Sequence, residues 1–231
     1  MRIGILQTGA APDQLLGELG DYPDLFVRML GGHGFTFQTW RVLDGVFPDD
    51  VTECEGWLIT GSKHGVYEDH AWIPPLEAFI RAAYGAHVPM VGICFGHQII
   101  AQAMGGRVEK YAGGWAVGAT EYDFEGRRVV LNAWHQDQVV ARPAAATVVG
   151  GNDFCANAAL LYDDRMFTVQ AHPEFRAEFV DGLMRVRGKG VVPDPLLAVA
   201  QERLGMPLDE SAVAGQIAEF FKRPRVSLER A

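Results

Sequence analysis

The sequence predicts an α/β fold on three observations. Short apolar runs such as Ile3–Leu6, Gly56–Thr60 and Val88–Ile93 alternate with segments of helical periodicity. Turn residues separate them, with 27 Gly and 12 Pro in the chain. A chain of 231 residues with 48% hydrophobic content can bury a full core, and this suits one α/β domain better than two.

Taken in order, Arg2–Gln7 reads as a first strand and Tyr22–Leu30 as a helix ended by Gly31-Gly32, with Asp21 placed to cap it. Phe35–Val42 is a second strand and Gly56–Thr60 a short buried third. Pro74-Pro75 opens a helix to about Tyr84, because proline suits the first turn. Val88–Ile93 is a fourth strand, followed by a helix over His97–Met104. Between Gly105 and Gln170 the pieces become short and turn-separated: Gly118–Phe124, Arg127–Asn132, Thr147–Gly151, Leu160–Asp163 and Met166–Ala171. They read as a small antiparallel excursion that rejoins the main sheet at Phe167–Gln170. Phe175–Val186 is helical. A last helix spans about Asp209–Phe221, with Val213, Ile217, Phe220 and Phe221 on one face and Asp209 or Ser211 as its cap. Arg223–Ala231 reads as a loose tail.

Charge and cysteine usage narrow the function. The net charge of -9 opposes binding to a phosphate backbone, which depends on Lys and Arg. No run approaches the roughly 18 apolar residues of a membrane span, and the first residues carry no export signal. Cys54, Cys94 and Cys155 form neither a disulfide framework nor a zinc pattern, so a reducing cytoplasm is the expected compartment.

One stretch carries chemistry: Val91-Gly92-Ile93-Cys94-Phe95-Gly96-His97-Gln98. A buried strand ends at Cys94 and a helix begins just after it, with glycine at minus two and plus two. This is the nucleophile-elbow spacing, in which a sharp turn lifts the sulfur above the sheet. The amides of the helix N-terminus then favour negative charge on the sulfur or on a nearby oxyanion. A redox cysteine or a small core residue fits the same local pattern. A nucleophile also needs a base with an orienter. Among seven histidines, His172 directly follows a buried strand, which places it at the carboxyl edge beside Cys94. Pro173 delays the next helix. In extended backbone, residues two apart point the same way, so Glu174 can hold the His172 ring.

Together these residues resemble the class I glutamine amidotransferases, the triad glutaminases. The elbow Gly92-Ile93-Cys94-Phe95-Gly96-His97-Gln98 and the later His172-Pro173-Glu174 are the family hallmarks. Thr60-Gly61-Ser62-Lys63-His64-Gly65-Val66-Tyr67 is similar to the loop that supplies an oxyanion-hole amide. His135-Gln136-Asp137-Gln138-Val139 is similar to a segment near the pocket in domains of the GMP synthetase type, and Gly20–Phe26 to the helix entry of freestanding members, including γ-glutamyl peptidases. The resemblance covers about residues 1–190. It implies a three-layer, mostly parallel open sheet flanked by helices, flavodoxin-like, with residues 191–231 as a helical extension packed on the same domain. It further implies Cys94, His172 and Glu174 as catalytic triad, amides at Phe95 and Gly61 as oxyanion hole, and Ser62, Gln98, Tyr67 and His135 at the substrate. The implied substrate is a small γ-glutamyl compound, and neither metal nor cofactor is required.

Three functions follow from the resemblance: a freestanding γ-glutamyl hydrolase, a glutaminase subunit feeding ammonia to a synthase chain, or a regulator without activity. The intact triad residues oppose the third, and the freestanding reading is favoured over the second. Lys63, His64, Glu68, Asp69 and His70 form a polar cluster with no matching ligand pair elsewhere, so it reads as a solvated loop. Trp115 and Trp134 read as packing, with a place at the pocket border as the alternative. Cys54 and Cys155, which lack flanking glycines, read as structural or surface thiols.

Overall fold

A computed structural model describes residues 1–225. In chain order the elements are β1 (Arg2–Leu6), α1 (Asp13–Leu19), α2 (Tyr22–Met29), β2 (Thr36–Trp40), β3 (Gly56–Ile59), α3 (Ile73–Gly85), β4 (Met90–Ile93) and α4 (Phe95–Ala103). There follow β5 (Arg107–Lys110), β6 (Ala116–Phe124), β7 (Arg127–His135), β8 (Asp137–Ala141), β9 (Ala146–Gly150), β10 (Ala159–Tyr162) and β11 (Met166–Val169). The chain closes with α5 (Ala177–Leu183), a π-helical turn over Met184–Gly188, α6 (Asp194–Glu202) and α7 (Glu210–Lys222).

Seven strands form one sheet in the order β2-β1-β3-β4-β11-β10-β9. The first five are parallel, while β10 runs antiparallel to both β11 and β9. Alternate residues of each strand face opposite layers of helices. On one side Ile3, Ile5, Leu58, Val91 and Phe167 pack with Phe26 of α2 and Ile217 of α7. On the other, Leu6, Trp57, Ile59 and Met90 pack with Leu76 of α3 and Ile99 of α4. The fold is therefore the expected three-layer α/β architecture. Adjacency of β3, β4 and β11 matters most, because the chain leaves all three at the same carboxyl edge.

Several expectations change. The strand pieces at β9 and β10 belong to the main sheet and extend its edge beyond β11. What stands apart is the long β6–β7 hairpin and the β5–β8 pair. Neither β5 nor β8 was expected: β5 buries only Val108, so it shows no two-residue alternation. Helices α1 and α6 were not expected either. α1 buries only Leu15, and α6 buries only Ala200 while Leu196 and Val199 remain exposed, so neither has a full apolar stripe. α5 begins at Ala177, two residues late, because Phe175 is drawn to the site instead.

The four apolar residues expected on the last helix are all buried in the sheet core. Asp209 stands at the cap position without capping α7. Its carboxylate accepts from the Val130 amide at 2.8 Å, and its own amide donates to the Val130 carbonyl at 2.9 Å, tying the helix entry to β7. The expected loose tail is anchored at its start, where Arg225 donates to the carbonyls of Asp164 and Phe220 at 2.7 and 2.8 Å. The rest of the expected tail, residues 226–231, lies outside the described residues.

Phe221 packs directly over β3, where a Cβ at Gly56 would stand 2.9 Å from its ring. Truncating Phe221→Ala is expected to lower stability by about 3–5 kcal/mol, the usual range for a buried aromatic. Urea unfolding reads this directly, and an unchanged midpoint would contradict the place of α7 in the core.

Candidate active site

The turn from β4 into α4 is held in a conformation that L-residues rarely adopt. Cys94 has φ 53° and ψ -103°, strain of roughly 1–3 kcal/mol for a non-glycine residue. The flanking glycines are required by backbone. A Cβ at Gly92 would stand 2.4 Å from the Gly96 carbonyl oxygen, and one at Gly96 would stand 2.4 Å from that of Ile59. The Cys94 amide donates to the Val169 carbonyl of β11 at 2.9 Å, and the Gln98 amide donates to the Cys94 carbonyl at 3.0 Å. The nucleophile candidate is thus pinned between strand and helix, 6% exposed. Phe95 is the first residue of α4, so its amide is one of the helix donors without an intrahelical acceptor.

The segment after β11 is not the extended one expected: His172 follows a bend at Gln170–Ala171 and opens a turn, in which the Phe175 amide donates to its carbonyl at 3.3 Å. Its amide donates to the Asn132 carbonyl at 2.8 Å, and the Asn132 side chain donates to the Phe175 carbonyl at 2.8 Å. The β6–β7 hairpin therefore clamps both ends of His172–Phe175. The imidazole Nδ1 lies 2.7 Å from Glu174 Oε1, with both side chains buried. The Phe175 ring stacks on the imidazole at 3.9 Å and 4°. Burial lowers the pKa of His172, but the Glu174 carboxylate and the Cys94 sulfur outweigh it and push it up to about 10. The Glu174 Oε2 atom is buried with no hydrogen-bond partner among the described residues.

Gly61 completes the cluster from the end of β3. A Cβ there would lie 3.1 Å from His172 Cε1 and 3.8 Å from Cys94 Cβ, so backbone approaches both side chains. Thr8, at the end of β1, fixes this loop: its amide donates to Thr60 Oγ1 at 3.0 Å and its hydroxyl to the Thr60 carbonyl at 2.9 Å.

Cys94 and His172 open onto a cavity of about 330 Å³ that Ser62, Tyr67, Gln98 and His135 also line. Gln98 Nε2 donates to the Asp137 carbonyl at 2.9 Å and to Gln170 Oε1 at 3.0 Å, so its amide nitrogen is committed to the protein. The Tyr67 hydroxyl donates to Asp137 Oδ2 at 3.0 Å and links the loop after β3 to β8 across the cavity mouth. Burial and that carboxylate push the Tyr67 pKa up to about 12. His135 is buried, and burial followed by the charge of His172 pushes it down to about 3. Its Nδ1 lies 3.2 Å from the Asp137 carbonyl, while Nε2 has no partner among the described residues.

Other lining residues were not singled out from the sequence. Tyr22 comes from α2 and Arg187 from the π-helical turn, where its guanidinium donates to the Ala10 carbonyl at 3.2 Å. Trp115 and Trp134 also line the cavity, so the border alternative holds for both. Cys54 and Cys155 are buried, and burial raises both thiols, Cys155 to about 12. The polar loop is partly exposed as expected, yet His64, Glu68 and His70 are drawn into contact.

A strained cysteine and a buried histidine–carboxylate pair thus converge with the Gly61 backbone at the carboxyl edge of a parallel sheet. The chain belongs to the class I glutamine amidotransferase family, whose pattern matches residues 48–182. Among individual proteins it is 29% identical over 95% of its length to a glutamine amidotransferase-like protein of Schizosaccharomyces pombe, covering 98% of that protein. It is 30% identical to gamma-glutamyl peptidase 4 of Arabidopsis thaliana, over 74% of this chain and 75% of the peptidase. A GMP synthase of Streptomyces coelicolor is 33% identical over 59% of this chain, but only 28% of that protein is covered. The crystal structure of a glutamine amido transferase from Methylobacillus flagellatus shares the fold, with TM-score 0.76 at 24% identity over 95% of this chain and 92% of that one. Among the described residues no helix is long and apolar enough to cross a membrane.

The raised His172 pKa has a stability signature. A histidine raised in the folded state stabilises fully below its unfolded pKa of 6.5, and loses that contribution as pH rises through about 10. Glu174→Gln removes the leading cause of the rise. The stability difference between the native chain and Glu174→Gln should therefore narrow as pH rises from about 6.5 toward 10. Denaturant titrations across this range check it, and a widening difference would contradict the assignment.

Proposed function

We propose that the chain hydrolyses γ-glutamyl amides through a thioester on Cys94. The observation that carries this reading is the convergence of Gly61, Cys94 and His172–Glu174 from the ends of β3, β4 and β11. The Cys94 sulfur attacks the side-chain carbonyl carbon of the γ-glutamyl group. The tetrahedral oxyanion is held by the Phe95 amide and the backbone at Gly61. His172, with a pKa near 10, carries a proton at neutral pH and delivers it to the leaving nitrogen. The C–N bond breaks, ammonia or an amine departs, and the thioester remains. Water then adds to it while His172 takes its proton, and the C–S bond breaks to release glutamate. Glu174 keeps the imidazole in the required orientation throughout. Ser62, Tyr67, Gln98 and His135 are assigned to the walls around the glutamyl group.

A freestanding hydrolase is the favoured form. Two γ-glutamyl peptidases among its relatives are covered over 86% and 75% of their length, whereas the match to GMP synthase covers 28% of that enzyme. The cavity also falls at the small end of the range for small-molecule sites, about 300–1,000 Å³. Delivery of ammonia to a separate synthase chain is the second reading, favoured by the same GMP synthase match. We take residues 1–190 as the amidotransferase domain and 191–231 as its extension. A reducing cytoplasm suits a free nucleophilic thiol.

Glutamate release by the purified chain, offered glutamine, glutathione and other γ-glutamyl compounds, tests the reading. Cys94→Ala and His172→Ala should each lower kcat/KM by at least about 1,000-fold, and Glu174→Ala by less. Substantial activity in Cys94→Ala would assign the nucleophile elsewhere. Release by the native chain alone supports the freestanding form, and release that needs a second chain supports the subunit.

A further inference from the structure

The loop between β3 and α3 gathers a second set of reactive side chains that the proposed reaction does not use. His64 Nδ1 and His70 Nε2 lie 3.1 and 2.8 Å from the same oxygen, Glu68 Oε2. One potential ligand atom from each of the three residues falls within 4.8 Å of the others. A tetrahedral ion with bonds of about 2.0–2.1 Å sets its ligand atoms roughly 3.3 Å apart. The present spacing needs only small side-chain shifts to close around such an ion. Each imidazole would present its lone pair inward and carry its proton on the other ring nitrogen.

The ligands are supported from behind. The Gly65 amide donates to Glu68 Oε1 at 2.9 Å, leaving Oε2 for the cluster. The His70 ring lies nearly parallel to Trp72, at 12° and 5.6 Å, and Trp72 is itself buried against Phe95. Such supports orient first ligands and raise affinity. Two imidazoles with one carboxylate suit zinc, nickel or copper, whereas calcium and magnesium prefer oxygen alone. His64 and Glu68 also line the cavity that holds Cys94.

We propose that His64, Glu68 and His70 bind one divalent transition-metal ion, of the zinc class, at the rim of the candidate active site. Three protein ligands leave coordination positions open to solvent or to a ligand in the cavity. The ion adds positive charge at the cavity mouth without entering the thioester chemistry.

The test uses the full chain, free of any histidine tag and stripped with chelator, carrying Cys94→Ala so that the catalytic thiol cannot compete. Zn2+ is titrated calorimetrically, and Co2+ is followed by its visible spectrum. One ion per chain is expected, with micromolar or tighter affinity and no sulfur-to-cobalt charge-transfer band. In the same background, His64→Ala and His70→Ala should each weaken binding by at least about 100-fold, more than the loss of a supporting residue usually costs. Unchanged unfolding midpoints in these variants tie the loss to the ligands. Absence of stoichiometric uptake, full affinity in both variants, or a thiolate band from Cys54 or Cys155 would overturn the proposal.

Discussion

The structure turns on a backbone constraint: Cys94 must stand in a strained conformation of positive φ at the end of a fully buried strand. Nothing local favours that state. It persists because the surroundings over-determine it, through the Cys94 amide on Val169, the start of α4, and two close backbone approaches at Gly92 and Gly96. The second of these approaches is to Ile59 of β3. The elbow is therefore built by the same three neighbouring strands that deliver Gly61 and His172. Sheet order and site are one constraint expressed twice.

The histidine–carboxylate pair is the second demanding feature. Burying two charges is expensive unless they are paired and hydrogen-bonded. The 2.7 Å contact supplies the pairing, and the Phe175 ring seals one face of the imidazole. The β6–β7 hairpin lies outside the main sheet, yet its Asn132 fixes the backbone of the segment. It thus has a positioning role beyond closure of the core.

Much of this was legible in the sequence because it depends on local spacing. Glycines two residues either side of Cys94 announce the elbow. His172 and Glu174 meet as expected, but across a turn over Pro173 and Glu174, closed by the Phe175 amide on the His172 carbonyl at 3.3 Å, and not through the expected extended backbone. The alternating apolar runs identify the strands of the parallel sheet. Less was legible where tertiary contact decides. The strand order places β9 and β10 on the main sheet although their pattern resembles that of the β6–β7 hairpin. Tyr22 and Arg187 reach the cavity from elements distant in the chain, and no local signal marks them. Asp209 looks like a helix cap but bonds to Val130 instead. His64, Glu68 and His70 were visible as polar residues, while their convergence depends on a loop conformation that spacing does not determine.

The most direct test of the account is the site of reaction with a glutamine-like electrophile, read by intact-protein and peptide mass spectrometry. The account predicts one label per chain, on Cys94, with labelling slowed by a γ-glutamyl substrate. Label on Cys54 or Cys155, or none on Cys94 in the folded protein, would contradict it.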